Sequence, residues 1–207
     1  MQSLSMEMIK ILGIELVVKI LSLDHFVIKR IIRREFSSYL RPEAQKRILD
    51  LGCGTGRLTS LFSAKGYTGI DISQTVITLA RRHKTYHFAT MNAAKLDFAD
   101  NTFDAILVGG VLHHIAPKEF QKTTREMARV LKPEGVALVI EAIHPIWSWN
   151  VVSAVARALD RGLYIRSPQA YRRVLTQHLF ELHSYTKLGG FLDYAVFLLR
   201  KKTSTKR

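Results

Sequence analysis

The chain has 207 residues, 47% of them hydrophobic, which is enough for one domain with a sizeable core and excludes global disorder. Its single cysteine, Cys53, excludes an intrachain disulfide and a CxxC metal or redox centre, so no metal site is expected and a reducing, cytoplasmic home fits. The net charge of +14 is uneven: residues 1–47 carry nine basic and five acidic side chains, 48–150 eleven and nine, and 151–207 eleven and three. A basic surface of that kind attracts nucleic acid, anionic lipid or an acidic small molecule, or simply keeps the protein soluble.

In chain order, residues 4–21 read as a helix, with Glu15 and Lys19 spaced as an i,i+4 pair. The apolar run from Ile9 to Leu23 is broken by Lys10, Glu15 and Lys19, so neither a membrane-spanning helix nor a secretory signal is expected. Ser22 or Asp24 would cap a second helix reaching about Tyr39, with Lys29, Arg30, Arg33 and Arg34 on its polar face. From Arg47 strands and helices alternate. Strands are expected at Arg47–Leu51, Tyr67–Ile72, Tyr86–Met91, Phe103–Val108 and Gly135–Glu141. Helices are expected at Arg57–Lys65, from Ser73 or Gln74 to His83, and at Pro117–Leu131. This rhythm predicts βαβ units and a doubly wound, mostly parallel sheet. Residues 147–177 read as mainly helical, with a turn near Gly162 and a stop at Ser167-Pro168. Leu179–Thr186 and Phe191–Leu199 complete seven strands as an antiparallel edge hairpin through Gly189-Gly190.

The stretch Ile48–Arg57, ILDLGCGTGR, places Gly52, Gly54 and Gly56 on the first βα turn. In a doubly wound sheet ligands sit beyond the carboxyl ends of the strands, at that turn. Glycine lets a ligand approach bare backbone; the plainer reading is a tight turn without a ligand. The spacing is Gly-x-Gly-x-Gly, one residue short of the dinucleotide fingerprint. Asp50, two residues ahead, would repel a diphosphate yet hold a cation or ammonium, which suits a zwitterionic nucleoside. Asp71, closing the second strand, is placed to accept hydrogen bonds from ribose hydroxyls, or else to cap a helix near Ser73. Asn92 after the third strand offers a donor and an acceptor to a purine edge, or is a turn residue.

Four segments, ILDLGCGTGRLT, GIDIS, MNAAKLDFADNTFDAILVGGVLHHI and MARVLKPEGVALVIEA, occur in order over about residues 46–142. Together they resemble the class I S-adenosylmethionine-dependent methyltransferases, nearest in appearance to the quinone-biosynthesis and small-molecule subgroup. The resemblance implies a Rossmann-like methyltransferase domain, expected at 47–207; the helical patterns outside the matching segments are expected to form an N-terminal helical cap at 1–46 and a helical lid insertion at about 144–177. It implies S-adenosyl-L-methionine as cofactor, with S-adenosyl-L-homocysteine as product. The loop around Gly52, Cys53, Gly54 and Gly56 would receive the methionine part, and Asp71 the ribose. Ile72 would pack on adenine, Asn92 and Ala93 would meet its edge, and Val108–Gly110, with Gly109, would lie under the sulfonium. Asn92 departs from the family's usual Asp.

Methyl transfer needs alignment first and a base only if the nucleophile must lose a proton. His113 and His114, after the fourth strand, and His144, after the fifth, are base candidates; structural packing is the alternative for each. Trp147, Trp149, Tyr164, Tyr171 and Arg172 would furnish the substrate lid, with Arg157, Arg161, Arg166 and Arg173 adding basic charge for a carboxylate or phosphate. The missing Asn/Asp-Pro-Pro-aromatic motif and Pro-Cys nucleophile point away from DNA. The expected acceptor is a small molecule or a lipid or quinone-like compound, with peripheral contact to an anionic membrane as a further expectation. The competing readings are RNA methylation, which the charge allows without a recognised RNA module, and a non-catalytic cofactor-binding scaffold.

Overall fold

The computed structural model describes residues 25–37, 46–83, 85–144, 163–188 and 193–202. The helix expected at 4–21 and the part of the lid bearing Trp147 and Trp149 lie outside them.

Seven strands form one sheet: β1 (Ile48–Leu51), β2 (Tyr67–Asp71), β3 (His87–Thr90), β4 (Phe103–Gly109), β5 (Leu131–Ile143), β6 (Leu179–Leu188) and β7 (Asp193–Lys201). Their order is β3-β2-β1-β4-β5-β7-β6. The pairs up to β4–β5 are parallel, while β7 runs antiparallel to both β5 and β6. The doubly wound sheet with its antiparallel edge is therefore as expected. Among the described residues four helices flank it: α1 (25–35), α2 (Gln74–Ala80), α3 (Pro117–Val130) and α4 (Pro168–Leu175).

Strands buried on both faces need helices on both faces. One apolar layer joins α3 and α4 to the sheet through Phe120, Met127, Val130, Tyr171 and Leu175. The opposite layer joins α1 and α2 through Ile31, Ile32, Phe36, Ile77 and Ala80. An isolated helix as short as α1 is marginal in water, so this packing holds it. Burying each of the larger aliphatic and phenylalanine side chains among these contributes about 1.5–3 kcal/mol. Glu35 then ties α1 to the sheet edge, accepting from the Tyr185 hydroxyl at 3.0 Å and lying 2.9 Å from His183 Nε2.

Three expectations change. Residues 57–65 are not an α-helix; only a 3-10 turn forms, at Thr59–Leu61. The N–H groups of Thr59, Leu61 and Phe62 bond three residues back, and the Thr59 hydroxyl competes for the Gly56 carbonyl at 2.8 Å. Phe62 then turns extended and buries itself. Ser167-Pro168 starts a helix rather than stopping one: Ser167 Oγ accepts from Ala170 N–H, and Pro168 takes the first turn, where its missing donor costs nothing. Finally, β5 begins at Leu131, directly after α3, because a register shift between Phe103 and Ala105 absorbs residues 132–135.

Candidate active site

At the carboxyl ends of β1, β2 and β4 lies a cleft of about 530 Å3. Its floor is the glycine loop. Gly52 has φ +76°, and a Cβ there would lie 2.3 Å from Val111 Cγ2, so only glycine fits between the two loops. Gly54 has φ +55°, and a Cβ there would meet nothing within 4 Å: its backbone is bare on the cleft side.

Asp71 ends β2 on the cleft wall. Its Oδ2 accepts from Gly54 N–H at 3.1 Å and its Oδ1 from Ser73 N–H at 2.9 Å. The capping of α2 belongs to Ser73, whose Oγ accepts from Val76 N–H. A carboxylate has about four acceptor positions, so two remain on Asp71 for a vicinal diol. Ile72 is 72% exposed beside it, a flat apolar surface for a planar ring. Met91, Asn92 and Ala93 continue the wall. Asn92 Oδ1 accepts from Ala94 N–H at 2.8 Å, the turn role, and keeps one lone pair and its amide donors.

Beyond β4 the chain turns at Gly110 and Val111, which line the cleft with His114, Ile115 and Ala116. That turn is built on Glu141, a fully buried carboxylate in β5 that sequence reasoning missed. Glu141 Oε1 accepts from Val111 and Leu112 N–H at 2.9 and 2.8 Å, and Oε2 accepts from His113 N–H at 3.3 Å. His113 Nδ1 lies 2.7 Å from Oε2, the geometry of an Nδ1–H hydrogen bond to a carboxylate oxygen. The available signal was an acid amid the apolar run VALVIEA. His113 is thereby buried and acts on the loop, not in the cleft. His114 is exposed, lines the cleft and lies 4.1 Å from the His113 ring, centroid to centroid. His144 is exposed, but it is not among the described residues lining the cleft.

Asp50, Cys53, Gly56 and Gly109 are likewise not among those lining residues. Asp50 is 1% exposed and accepts from the Tyr67 hydroxyl at 2.6 Å, so it braces β1 against β2 rather than facing a ligand. Burial pushes its carboxyl from 3.8 up to about 6; the Tyr67 hydrogen bond opposes the rise and Asp71 adds to it. The folded chain therefore holds this proton more tightly than the unfolded chain does, and the stability that Asp50 contributes falls as pH rises from about 4 to about 6. The expected fall is about 3 kcal/mol. Asp50→Asn should flatten it, which urea midpoints of both proteins at either end of that range would check. Cys53 is buried, and its thiol is pushed up chiefly by burial.

Two expected lid residues have other work. Tyr171 is fully buried between α4 and the sheet, with its hydroxyl 3.4 Å from the Ala142 carbonyl. Arg172 pairs with Glu181 at 2.9 Å and donates to Ser184 Oγ, at the sheet edge. Arg166, offered for anion recognition, donates instead to the carbonyls of Leu112, Tyr164 and Ile115. It stacks over Phe120, Tyr164 and Tyr171. Tyr164 bonds through its N–H to the His113 carbonyl at 2.9 Å. Arg166 and Tyr164 thus hold the outer side of the loop whose inner side Glu141 holds. Trp147, Trp149, Arg157 and Arg161 lie outside the described residues.

Residues 49–139 match the family described as a methyltransferase domain. A ubiquinone/menaquinone biosynthesis C-methyltransferase UbiE from Vibrio cholerae is 39% identical over 113 residues, 49% of this chain and 43% of that protein. A demethylmenaquinone methyltransferase from Symbiobacterium thermophilum is 35% identical over 124 residues, 54% of this chain and 49% of that one. The alignments thus span less than half the length of these curated relatives. An S-adenosylmethionine-dependent methyltransferase from Methanosarcina mazei matches in structure, with a TM-score of 0.65 and 21% identity, over 81% of this chain and 97% of that chain. At that identity the likeness establishes the fold.

Proposed function

We propose, on the premise that residues 49–139 form a class I S-adenosylmethionine-dependent methyltransferase domain resembling those of quinone biosynthesis, that this chain methylates a small quinone-like acceptor. The observation that carries the reading is the Asp71 carboxylate, tied to the bare Gly54 backbone and retaining two acceptor positions at the cleft. The residues present fit the nucleoside: a diol acceptor at Asp71, a ring surface at Ile72, and open backbone at Gly54.

When bound, S-adenosylmethionine supplies an electrophilic methyl group on its sulfonium. Gly52 and Gly54 admit the chain of the ligand, and Asp71 fixes its sugar. The Glu141-anchored turn at Val111–His113 sets the opposing wall. Orientation of this kind can remove several kcal/mol of barrier by itself. His114 is the base candidate, because it lines the cleft beside the buried His113. A hydroquinone-type acceptor that gives its hydroxyl proton to His114 becomes a carbon nucleophile. His113 is a positioning residue in this scheme.

A lipid-soluble acceptor also favours contact with a bilayer. α1 exposes Phe26, at 59%, with Arg30 and Arg33. The neighbouring groove is lined by His25, Thr55, Arg57, Leu79, Arg82 and His83, with no carboxylate among these described residues. Basic side chains flanking apolar tips suit an anionic lipid surface. One assay addresses both points: radiolabelled methyl transfer to a short-chain quinol carried in neutral or anionic vesicles. We expect label in the quinol, entering faster from anionic vesicles, with the excess lost in an Arg30→Glu/Arg33→Glu double variant. Label confined to polar or RNA fractions would defeat the acceptor assignment, and equal rates from both vesicles would defeat the membrane contact.

A further inference from the structure

Thr123 and Thr124 are adjacent on α3, and both are fully buried. Their hydroxyls are treated differently. Thr124 Oγ1 donates to the Phe120 carbonyl at 3.0 Å, the ordinary solution for a threonine inside a helix. Thr123 Oγ1 has no hydrogen-bond partner among the described residues, and its residue lines the cleft. Buried polar atoms are nearly always paired, so an unpaired one on a residue that lines a binding cleft calls for a partner, which a bound ligand can supply.

The end of the cleft that Thr123 faces follows from α3. Glu119, four residues earlier on the same face, also lines the cleft. Glu126, three residues later, accepts from Leu96 N–H at 2.8 Å, and Arg129 donates to the Leu96 carbonyl at 2.9 Å. This face of α3 therefore abuts the segment after β3, where Met91, Asn92 and Ala93 form the wall and Asp97 N–H reaches Met91 Sδ at 3.4 Å. In the reading given above, the sugar is held at Asp71 and the ring lies on Ile72 toward that segment. Asn92 Oδ1 is partly engaged by its own turn and keeps one lone pair and its amide donors, and the Thr123 hydroxyl would add to what Asn92 offers the ring edge. A hydroxyl can donate to a ring nitrogen or accept from an exocyclic amine.

We propose that Thr123 is a specificity-determining residue for the nucleoside, its hydroxyl hydrogen-bonding the edge of the purine ring; this rests on the cleft being the S-adenosylmethionine site. The valine variant keeps the shape and removes the hydroxyl. Calorimetric titration of S-adenosylhomocysteine should show Thr123→Val binding roughly fivefold more weakly, the size of one ordinary hydrogen bond, with Thr123→Ser close to wild type. The ligand-free melting temperature of Thr123→Val should be unchanged or higher, since no pairing is lost.

The second arm uses wild-type protein with S-adenosylhomocysteine analogues that lack N1, N3, N7 or the exocyclic amine. One of these should bind more weakly to wild type yet equally to Thr123→Val, which identifies the atom. Equal affinity of wild type and Thr123→Val for the parent ligand, or a melting temperature that drops while affinity holds, overturns the proposal and leaves the site assignment standing. Absence of any heat with wild type removes the site assignment as well. Should the valine variant fail to fold, the analogue series on wild type and Thr123→Ser decides the question: uniform tolerance of all four changes counts against it.

Discussion

Replacing Glu141 with alanine should destabilise the protein by about 3–5 kcal/mol, the usual loss when one partner of a buried charged network is removed. Three backbone N–H groups and His113 Nδ1 converge on this carboxylate, and Leu112 and His113 are buried, away from water that would replace it. Hydrogen bonds to a charged acceptor contribute about 1.5–3 kcal/mol each, and orphaned buried donors pay their desolvation in full. Glu141→Gln should lose less, because its amide oxygen still accepts from Val111 and Leu112. Chemical denaturation of the three proteins checks the order wild type, Gln, Ala. The same variants should lose methyl transfer beyond what the lost stability explains, since the Val111–His114 turn forms a cleft wall. An alanine variant within about 1 kcal/mol of wild type would mean that the turn holds itself.

Asp71→Ala should weaken S-adenosylhomocysteine binding at least tenfold, about 1.4 kcal/mol, while leaving the fold intact. Two effects add in the same direction. The acceptors for the sugar are removed, and Gly54 and Ser73 lose the carboxylate that fixes their N–H groups. Asp71→Asn separates these effects, because it keeps one acceptor and can satisfy one of the two N–H groups. It should fall between wild type and alanine. Both variants should unfold near the wild-type midpoint, as Asp71 is only half-buried and Ser73 still caps α2. Unchanged affinity in the alanine variant would remove the assigned role of this residue.

The sheet was legible because strand signals and glycine punctuation are local. Apolar runs ending at Leu51, Asp71 and Gly109 place the cleft before any side chain is packed. The fate of polar side chains was not legible, since it depends on which neighbour the fold delivers. In sequence, Arg166 is one basic residue among many; in the fold it spends its donors on three carbonyls. Tyr171 reads as amphipathic surface, yet α4 turns it into the core. Asp50 sits in the glycine motif, but strand alternation puts it on the opposite face from Leu51, under the Tyr67 hydroxyl. The 57–65 segment has helical composition, and the turns following Gly56 with the Thr59 hydroxyl outcompete the helix. Glu141 was visible only as an incongruous acid in an apolar strand; its three amide partners lie about thirty residues away.

The placement of these groups also explains why two adjacent histidines take different roles. His113 turns inward to Glu141 and rigidifies the loop, and the next residue is left at the cleft. Loop rigidity on one side comes from a buried carboxylate and on the other from the Arg166 guanidinium. A preorganised wall of this sort aligns reacting groups without itself taking part in bond making.

A crystal structure of the wild-type protein soaked with S-adenosylhomocysteine tests the central assignment most directly. Both ribose hydroxyls should lie within hydrogen-bonding distance of the Asp71 carboxylate, with the purine on Ile72 and the amino-acid end over Gly54. A nucleoside bound elsewhere, or one whose sugar lies away from Asp71, would contradict it.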